Sequence, residues 1–175
     1  MRALAFWKTV TVDESGFLEQ FLDALRREKV RFCLIGGQAV NAYVEPVVSL
    51  DLDVVVAVGE LARVQELLSK SFRLERFAHS LNVSQSRSDL RVQVQTDPRY
   101  ADFLERAAPR DVLGLTLPVA AVEDVLKGKV WAVQDPARRG SKRQKDLADI
   151  ARLLEKYPAL GSQVPLDVLS RLVWA

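Results

Sequence analysis

The stretch Phe32-Cys33-Leu34-Ile35-Gly36-Gly37-Gln38-Ala39-Val40-Asn41-Ala42-Tyr43-Val44-Glu45-Pro46-Val47-Val48-Ser49-Leu50-Asp51-Leu52-Asp53-Val54-Val55-Val56-Ala57-Val58 decides how the chain folds. A short apolar run, Phe32 to Ile35, stops at Gly36-Gly37. A small amphipathic segment follows from Gln38 to Val44 and is broken by Pro46. Ser49-Leu50-Asp51-Leu52-Asp53 then opens a second apolar run that ends at Val58. Short apolar runs bounded by Gly, Pro and Ser read as buried strands, and the segment between these two reads as a short helix.

Side chains alternate faces along a strand, so Asp51 and Asp53 point the same way while Leu50, Leu52 and Val54 point into the core. Two like charges on one face repel unless a cation lies between them. Mg²⁺ suits hard oxygen ligands and is commonly held by one or two carboxylates plus substrate phosphates. Gly36-Gly37 lets backbone approach a ligand closely, and a helix N-terminus favours phosphate. Together these features describe a site for a metal-bound nucleoside triphosphate. A lone Gly-Gly or a lone Asp-x-Asp is common at strand ends; their order between two apolar strands carries the reading.

These residues resemble the DNA polymerase β-like nucleotidyltransferase superfamily, whose signature is a hydrophobic residue with Gly-Gly or Gly-Ser, a spacer, and Asp-x-Asp/Glu flanked by hydrophobics. Here Ile35-Gly36-Gly37 is followed by thirteen residues and then Asp51-Leu52-Asp53-Val54. The arrangement is most similar to the minimal nucleotidyltransferases of abortive-infection and toxin–antitoxin systems. A second match, Lys142-Arg143-Gln144-Lys145-Asp146-Leu147-Ala148-Asp149, resembles their Arg/Lys-x-x-Lys-Asp-x-x-Asp helix motif. The resemblance covers residues 17 to 157. It implies an α/β fold, a mixed sheet of four to six strands flanked by helices, with a C-terminal helical part. It also implies Mg²⁺- or Mn²⁺-dependent transfer of NMP from an NTP to an RNA, tRNA included, or to a protein. The context it suggests is a toxin of a toxin–antitoxin or phage-defence system with a cognate antitoxin or partner protein.

On that resemblance Asp51 and Asp53 hold the metal, Gly36, Gly37 and Ser49 cradle the phosphates, and Lys145 neutralises the leaving pyrophosphate; Asp51, Asp53 and Lys145 form the catalytic set. The family places a third carboxylate on a later strand, and there the chain departs from it. The strand Leu90 to Thr96 carries Gln93 at the equivalent position, with Asp97 at its end and Asp89 at its start as substitutes. A carboxylate from Asp97 beside the pair would favour an enzyme. Gln93 in its place would favour the alternative, a degenerate relative that binds nucleotide or RNA or serves as an antitoxin or partner subunit. A plain RNA-binding module, independent of Asp51 and Asp53, is a third class.

Composition bounds these readings. The chain has 175 residues, is 49% hydrophobic and 27% charged, and carries a formal net charge of +2, so any nucleic-acid surface must be local. One such surface runs from Lys127 to Lys145; its Arg138, Arg139, Lys142 and Arg143 are candidate RNA or phosphate contacts. The one cysteine, Cys33, excludes an internal disulfide, and its apolar strand makes it a core residue. No apolar run is long enough to span a bilayer, which points to a cytoplasmic protein with no membrane partner.

The remaining elements follow from periodicity. Residues 1 to 14 read as a mobile or strand-like lead-in. Ser15 caps a helix to about Lys29, and another helix occupies Gly59 to Lys70. Strands lie around Phe72 to Val83, His79 among them, with a turn at Ser86 to Asp89. Pro98 to Arg106 forms a short helix and Val112 to Pro118 a single strand. Helices span Val119 to Val133 and Ser141 to Tyr157; the alternative to a phosphate-facing role for the basic cluster is that its charges are solvated, with Asp146 and Asp149 pairing locally with Lys142, Lys145 or Arg152. Residues 1 to 157 form the nucleotidyltransferase domain, and 158 to 175 a helical tail ending in Leu172, Val173 and Trp174.

Overall fold

A computed structural model describes residues 3 to 172 of the chain. Helix α1 (Ala3–Val10) and helix α2 (Phe17–Arg27) precede strand β1 (Phe32–Ile35), helix α3 (Gly36–Asn41), strand β2 (Asp51–Val56) and helix α4 (Leu61–Ser69). Strands β3 (Arg73–Arg76), β4 (Ser80–Ser84), β5 (Arg91–Gln95), β6 (Ala108–Val112) and β7 (Leu115–Val119) follow. Helices α5 (Val122–Gln134), α6 (Gly140–Lys156) and α7 (Leu166–Leu169) close the chain. Three 3₁₀ segments, Val58–Glu60, Pro98–Leu104 and Pro158–Gln163, join them.

The strands form one mixed sheet of seven in the order β3-β4-β5-β2-β1-β7-β6, more than the four to six expected. β2 pairs with β5 and β1 with β7 in parallel; the other pairs are antiparallel. Alternation along β2 sends Leu52 and Val54 into the core, fully buried with Val92, Val94 and Leu34. Each such side chain contributes about 1.5–3 kcal/mol of transfer free energy. Leu50, expected to be buried with them, lies before the strand proper and is 36% exposed. Phe17 and Phe21 of α2 pack on Phe72, and α2 also contacts α4. The second helix group, α3, α5 and α6, shares contacts of its own.

Several local expectations change. The lead-in is helical from Ala3 to Val10 rather than strand-like. Its Trp7 is buried and donates from Nε1 to the Ser49 carbonyl at 2.6 Å, so tertiary contact overrides the alternating pattern. Asp13, not Ser15, satisfies the start of α2: its carboxylate accepts from the Phe17 and Leu18 N–H groups at 2.9 and 3.3 Å. The strand expected over Val112 to Pro118 is a hairpin, β6 and β7, turning at Leu113 (φ 59°) and Gly114 (φ 82°). His79 sits exposed in the β3–β4 connection. In the tail Leu160, Val164, Val168 and Leu172 are buried, while Leu166 is 82% exposed. Val173 and Trp174 of the expected tail helix lie outside the described residues.

Candidate active site

The site forms where β1 runs into α3. Gly36 has φ +66°, and a Cβ on it would stand 2.1 Å from Asp53 Oδ2. Two constraints therefore coincide at one residue: the backbone requires the left-handed region, and the Asp53 carboxylate occupies the space of a side chain. The antiparallel register that sets Ile35 opposite Asp53 brings this about. A Cβ on Gly37 would stand 2.8 Å from Ser49 Oγ and 3.6 Å from Lys145 Nζ. Lys145 donates to Ser49 Oγ at 3.3 Å. Ser49 is buried, and Gln38 Nε2 joins Trp7 in donating to its carbonyl, at 2.9 Å. Gly-Gly, Ser49, Asp53 and Lys145 are thus neighbours, drawn from three elements and the loop before β2.

Asp51 accepts from Lys142 Nζ at 2.9 Å on one oxygen, and its other oxygen forms an ion pair with Arg91, whose Nε lies 3.0 Å away. Burial pushes its pKa up, but the Lys142 hydrogen bond and the charges of Lys142, Arg91 and Lys145 outweigh that and hold it below the usual carboxylate value. Asp53 has no ion-pair partner among the described residues. Loss of solvation, and then the charge of Asp51, push its carboxyl up to about 6. The two aspartates share a face and differ in electrostatics: Asp51 is paired with Lys142 and Arg91, whereas Asp53 makes no ion pair among the described residues and feels Lys129, Lys142 and Arg138 only at longer range.

Asp53 opens into a cavity of about 100 Å³ lined by Gly36, Gln93, Tyr100, Lys129 and Arg138 among others. A second cavity shares Gln93, Gln95, Tyr100 and Arg138 and adds His79, Arg99 and Trp131. There Trp131 carries cations against its ring, Arg99 at 4.9 Å and Lys127 at 5.1 Å from the centroid. Behind the first cavity lies an ionic network. Lys129, buried on α5, donates to Asp146 at 2.9 Å and forms an ion pair with Asp149 at 2.7 Å; Arg138 pairs with Asp146 and Arg152 with Asp149, each at 2.8 Å. It ties α5 to α6 and so fixes where Lys142 and Lys145 point.

The model of the nucleotidyl transferase AbiEii toxin family, of type IV toxin–antitoxin systems, matches residues 20–172. The chain belongs to this family. It is a nucleotidyltransferase by that membership, with a mixed sheet flanked by helices. Among solved structures it is similar to ANT(2″)-Ia in complex with adenylyl-2″-tobramycin: 12% identity, 85% of this chain and 97% of that one covered, TM-score 0.57. It is also similar to the lincosamide antibiotic adenylyltransferase LnuA bound to lincomycin: 14% identity, 82% and 99% covered, TM-score 0.55. No curated protein sequence matches the chain.

Gly36, Gly37, Ser49, Asp51, Asp53 and Lys145 lie near one another, and Lys142, expected as an RNA or phosphate contact, is paired with Asp51. Asp97 does not join them: it caps the Pro98–Leu104 segment and is held by Arg99 at 2.7 Å, which keeps its carboxyl below the usual value. Asp89 is exposed. Among the described residues no three His, Cys, Asp or Glu side chains gather as a metal-holding group. The basic cluster turns mostly inward: Arg138 pairs with Asp146, Lys142 with Asp51, and Arg143 bonds the Asp135 carbonyl at 2.8 Å, leaving Arg139 exposed. Asp146 finds its partners on α5 and the following loop rather than on its own helix. Lys129 counts in the sequence only as one cation of the Lys127 to Lys145 stretch, yet a signal for its buried position was present. It sits among Val125, Leu126 and Val133, all buried on α5, and a lysine on an apolar stripe demands buried counter-ions.

Proposed function

We propose that the protein transfers NMP from an Mg²⁺- or Mn²⁺-bound NTP to an RNA hydroxyl, tRNA among the substrates to test, as a toxin paired with a cognate antitoxin. The observation that carries this reading is the Gly36–Asp53 contact: glycine backbone packed on an unpaired carboxylate, with Ser49 and Lys145 alongside. The donor set fits a hard divalent ion, because Asp51 and Asp53 offer oxygens on one face and Gly36 leaves the space before Asp53 free of a side chain. When bound, that ion supplies charge neutralisation on the triphosphate.

The chain's own residues do the rest. Gly36 and Gly37 admit the phosphates without obstruction. Lys145, and Lys142 once released from Asp51, balance charge on the leaving pyrophosphate. The acceptor oxygen bonds to the α-phosphorus as the α–β anhydride bond breaks, and the hydroxyl proton leaves to water in the cleft. The second cavity, lined by His79, Arg99, Trp131 and Arg138 among others, offers cations to the phosphates of a single-stranded RNA end, with the Trp131 ring beside them. Incubation with each α-³²P-labelled NTP, Mg²⁺ and total RNA tests the reading. Label on RNA from the wild type, absent with Asp51→Asn, is expected; no label on any RNA overturns it.

Gln93 beside Asp53 favours a second reading, a relative that binds the nucleotide without transferring it. It predicts NTP binding dependent on Asp51 and Asp53 with no transfer to RNA or protein.

A further inference from the structure

The row of side chains beside Asp53 carries this inference, which rests on the nucleotidyltransferase reading above. β2 and β5 run parallel in a register that sets Asp51 against Arg91 and Asp53 against Gln93. On the next strand Asn82 stands against Gln93, and Ser80 against Gln95. The two strands next to the aspartate pair therefore present amides and hydroxyls on this face, and its first acid is Glu75 of β3, one strand further on against Asn82. Gln95 is already committed, its Oε1 accepting from the Thr96 and Asp97 N–H groups at 2.9 and 3.0 Å. The acids nearest this face are committed too. Arg99 holds Asp97, Arg106 holds Asp124 through two bonds of 2.8 Å, and Lys129 and Arg138 hold Asp146. The Gln93 side chain makes no hydrogen bond among the described residues, and it lines both cavities.

Two divalent ions about 3.5–4 Å apart bring four positive charges into one site. Here Asp51 and Asp53 are the carboxylates open to an ion, Asp51 already paired with Lys142 and Arg91; Asp124 and Asp146 also line the first cavity, but Arg106 holds the one and Lys129 and Arg138 hold the other. The geometry points to a single divalent ion in this active site, with the neutral Gln93 amide where a second ion would need a carboxylate. Gln93 there offers a carbonyl oxygen able to accept a hydrogen bond, and its side chain cannot ionise.

Bound Mn²⁺ is counted on the full chain at saturation with each of the four α,β-methylene nucleoside triphosphates, which cannot be transferred. Electron paramagnetic resonance then reports whether bound ions are spin-coupled. One uncoupled Mn²⁺ per chain is expected for the wild type and for Gln93→Ala. Gln93→Glu, which exchanges one amide nitrogen for a charged oxygen, is expected to bind two coupled ions; Gln93→Asp serves if that variant does not melt cooperatively. Two coupled ions in the wild type would overturn the inference while leaving the nucleotidyltransferase reading intact. A wild type that binds no analogue and no Mn²⁺ would remove that reading and this one with it. One ion in both acidic variants would overturn the role assigned to Gln93.

Discussion

Replacing Gly36 by alanine tests the geometry on which the active site is built. The residue has φ +66°, and a new Cβ would stand 2.1 Å from Asp53 Oδ2, 2.8 Å from Cγ and 3.0 Å from Cβ. The left-handed backbone costs an alanine about 1–2 kcal/mol. Forcing the Asp53 side chain aside adds an overpacking cost of about 1–3 kcal/mol. Gly36→Ala should therefore lose roughly 2–5 kcal/mol, and at about 2–4 °C per kcal/mol for a chain of this size the shift in Tm is readily measured. The decisive comparison is with Asp53→Ala. In Gly36→Ala/Asp53→Ala the carboxylate is gone, so only the backbone cost remains and the double variant should be more stable than the sum of the singles by about 1–3 kcal/mol. Urea denaturation of the four proteins closes the cycle. Additivity within about 0.5 kcal/mol would refute the contact between the glycine turn and the aspartate.

Three further outcomes follow from other parts of the structure. Lys129→Met leaves Asp146 and Asp149 buried without their shared cation and should cost about 3–5 kcal/mol by thermal or urea unfolding, part of it recovered with Asp146→Asn and Asp149→Asn added. Lys145→Ala should change stability by less than about 1 kcal/mol, because its bond to Ser49 is long and partly exposed, yet weaken metal-NTP affinity by about tenfold or more in calorimetry. Burial, and then the charge of Asp124, raise the Cys33 thiol from 9.0 to about 12. Its folded pKa lies above the unfolded one, so its contribution to stability is complete below pH 9 and is lost as pH rises toward 12. A thiol reagent at pH 8 should accordingly label Cys33 only after denaturant is added.

The parts of the site that lie on regular elements were legible because their periods are unambiguous. The alternation of Asp51, Leu52, Asp53 and Val54 assigns faces directly, and the α6 motif places Lys142 and Lys145 one turn apart. Gly-Gly after an apolar run marks a strand-to-helix turn, although the need for glycine at residue 36 in particular comes from Asp53 across the strand pair. What the sequence conceals depends on long-range contact or on turns without their usual residues. Val10 and Val12, alternating with Thr9, Thr11 and Asp13, read as a strand, whereas burial of Trp7 against the Ser49 carbonyl draws that segment into a helix and its end. The β6–β7 hairpin is hidden because Leu113, with φ 59°, occupies a turn position that Gly, Asn or Asp usually fills. Ser15 and Asp13 are both capable caps, and the geometry of Gly16, at φ 67°, brings Asp13 onto the first amides. Lys129 lies 17 residues from Asp146 in sequence, so the pairing exists only once α5 and α6 are packed.

The central claim, a metal-dependent nucleotide site on Asp51 and Asp53, is tested most directly by thermal unfolding of the wild type and Asp51→Asn/Asp53→Asn with each NTP, with and without Mg²⁺ or Mn²⁺. A ligand bound only to the native state at about 100 times its Kd stabilises it by about 2.7 kcal/mol. The account predicts such a shift for at least one NTP, in the wild type only, and only when the metal is present. An NTP shift that is the same without metal, or that persists in the double variant, would contradict it.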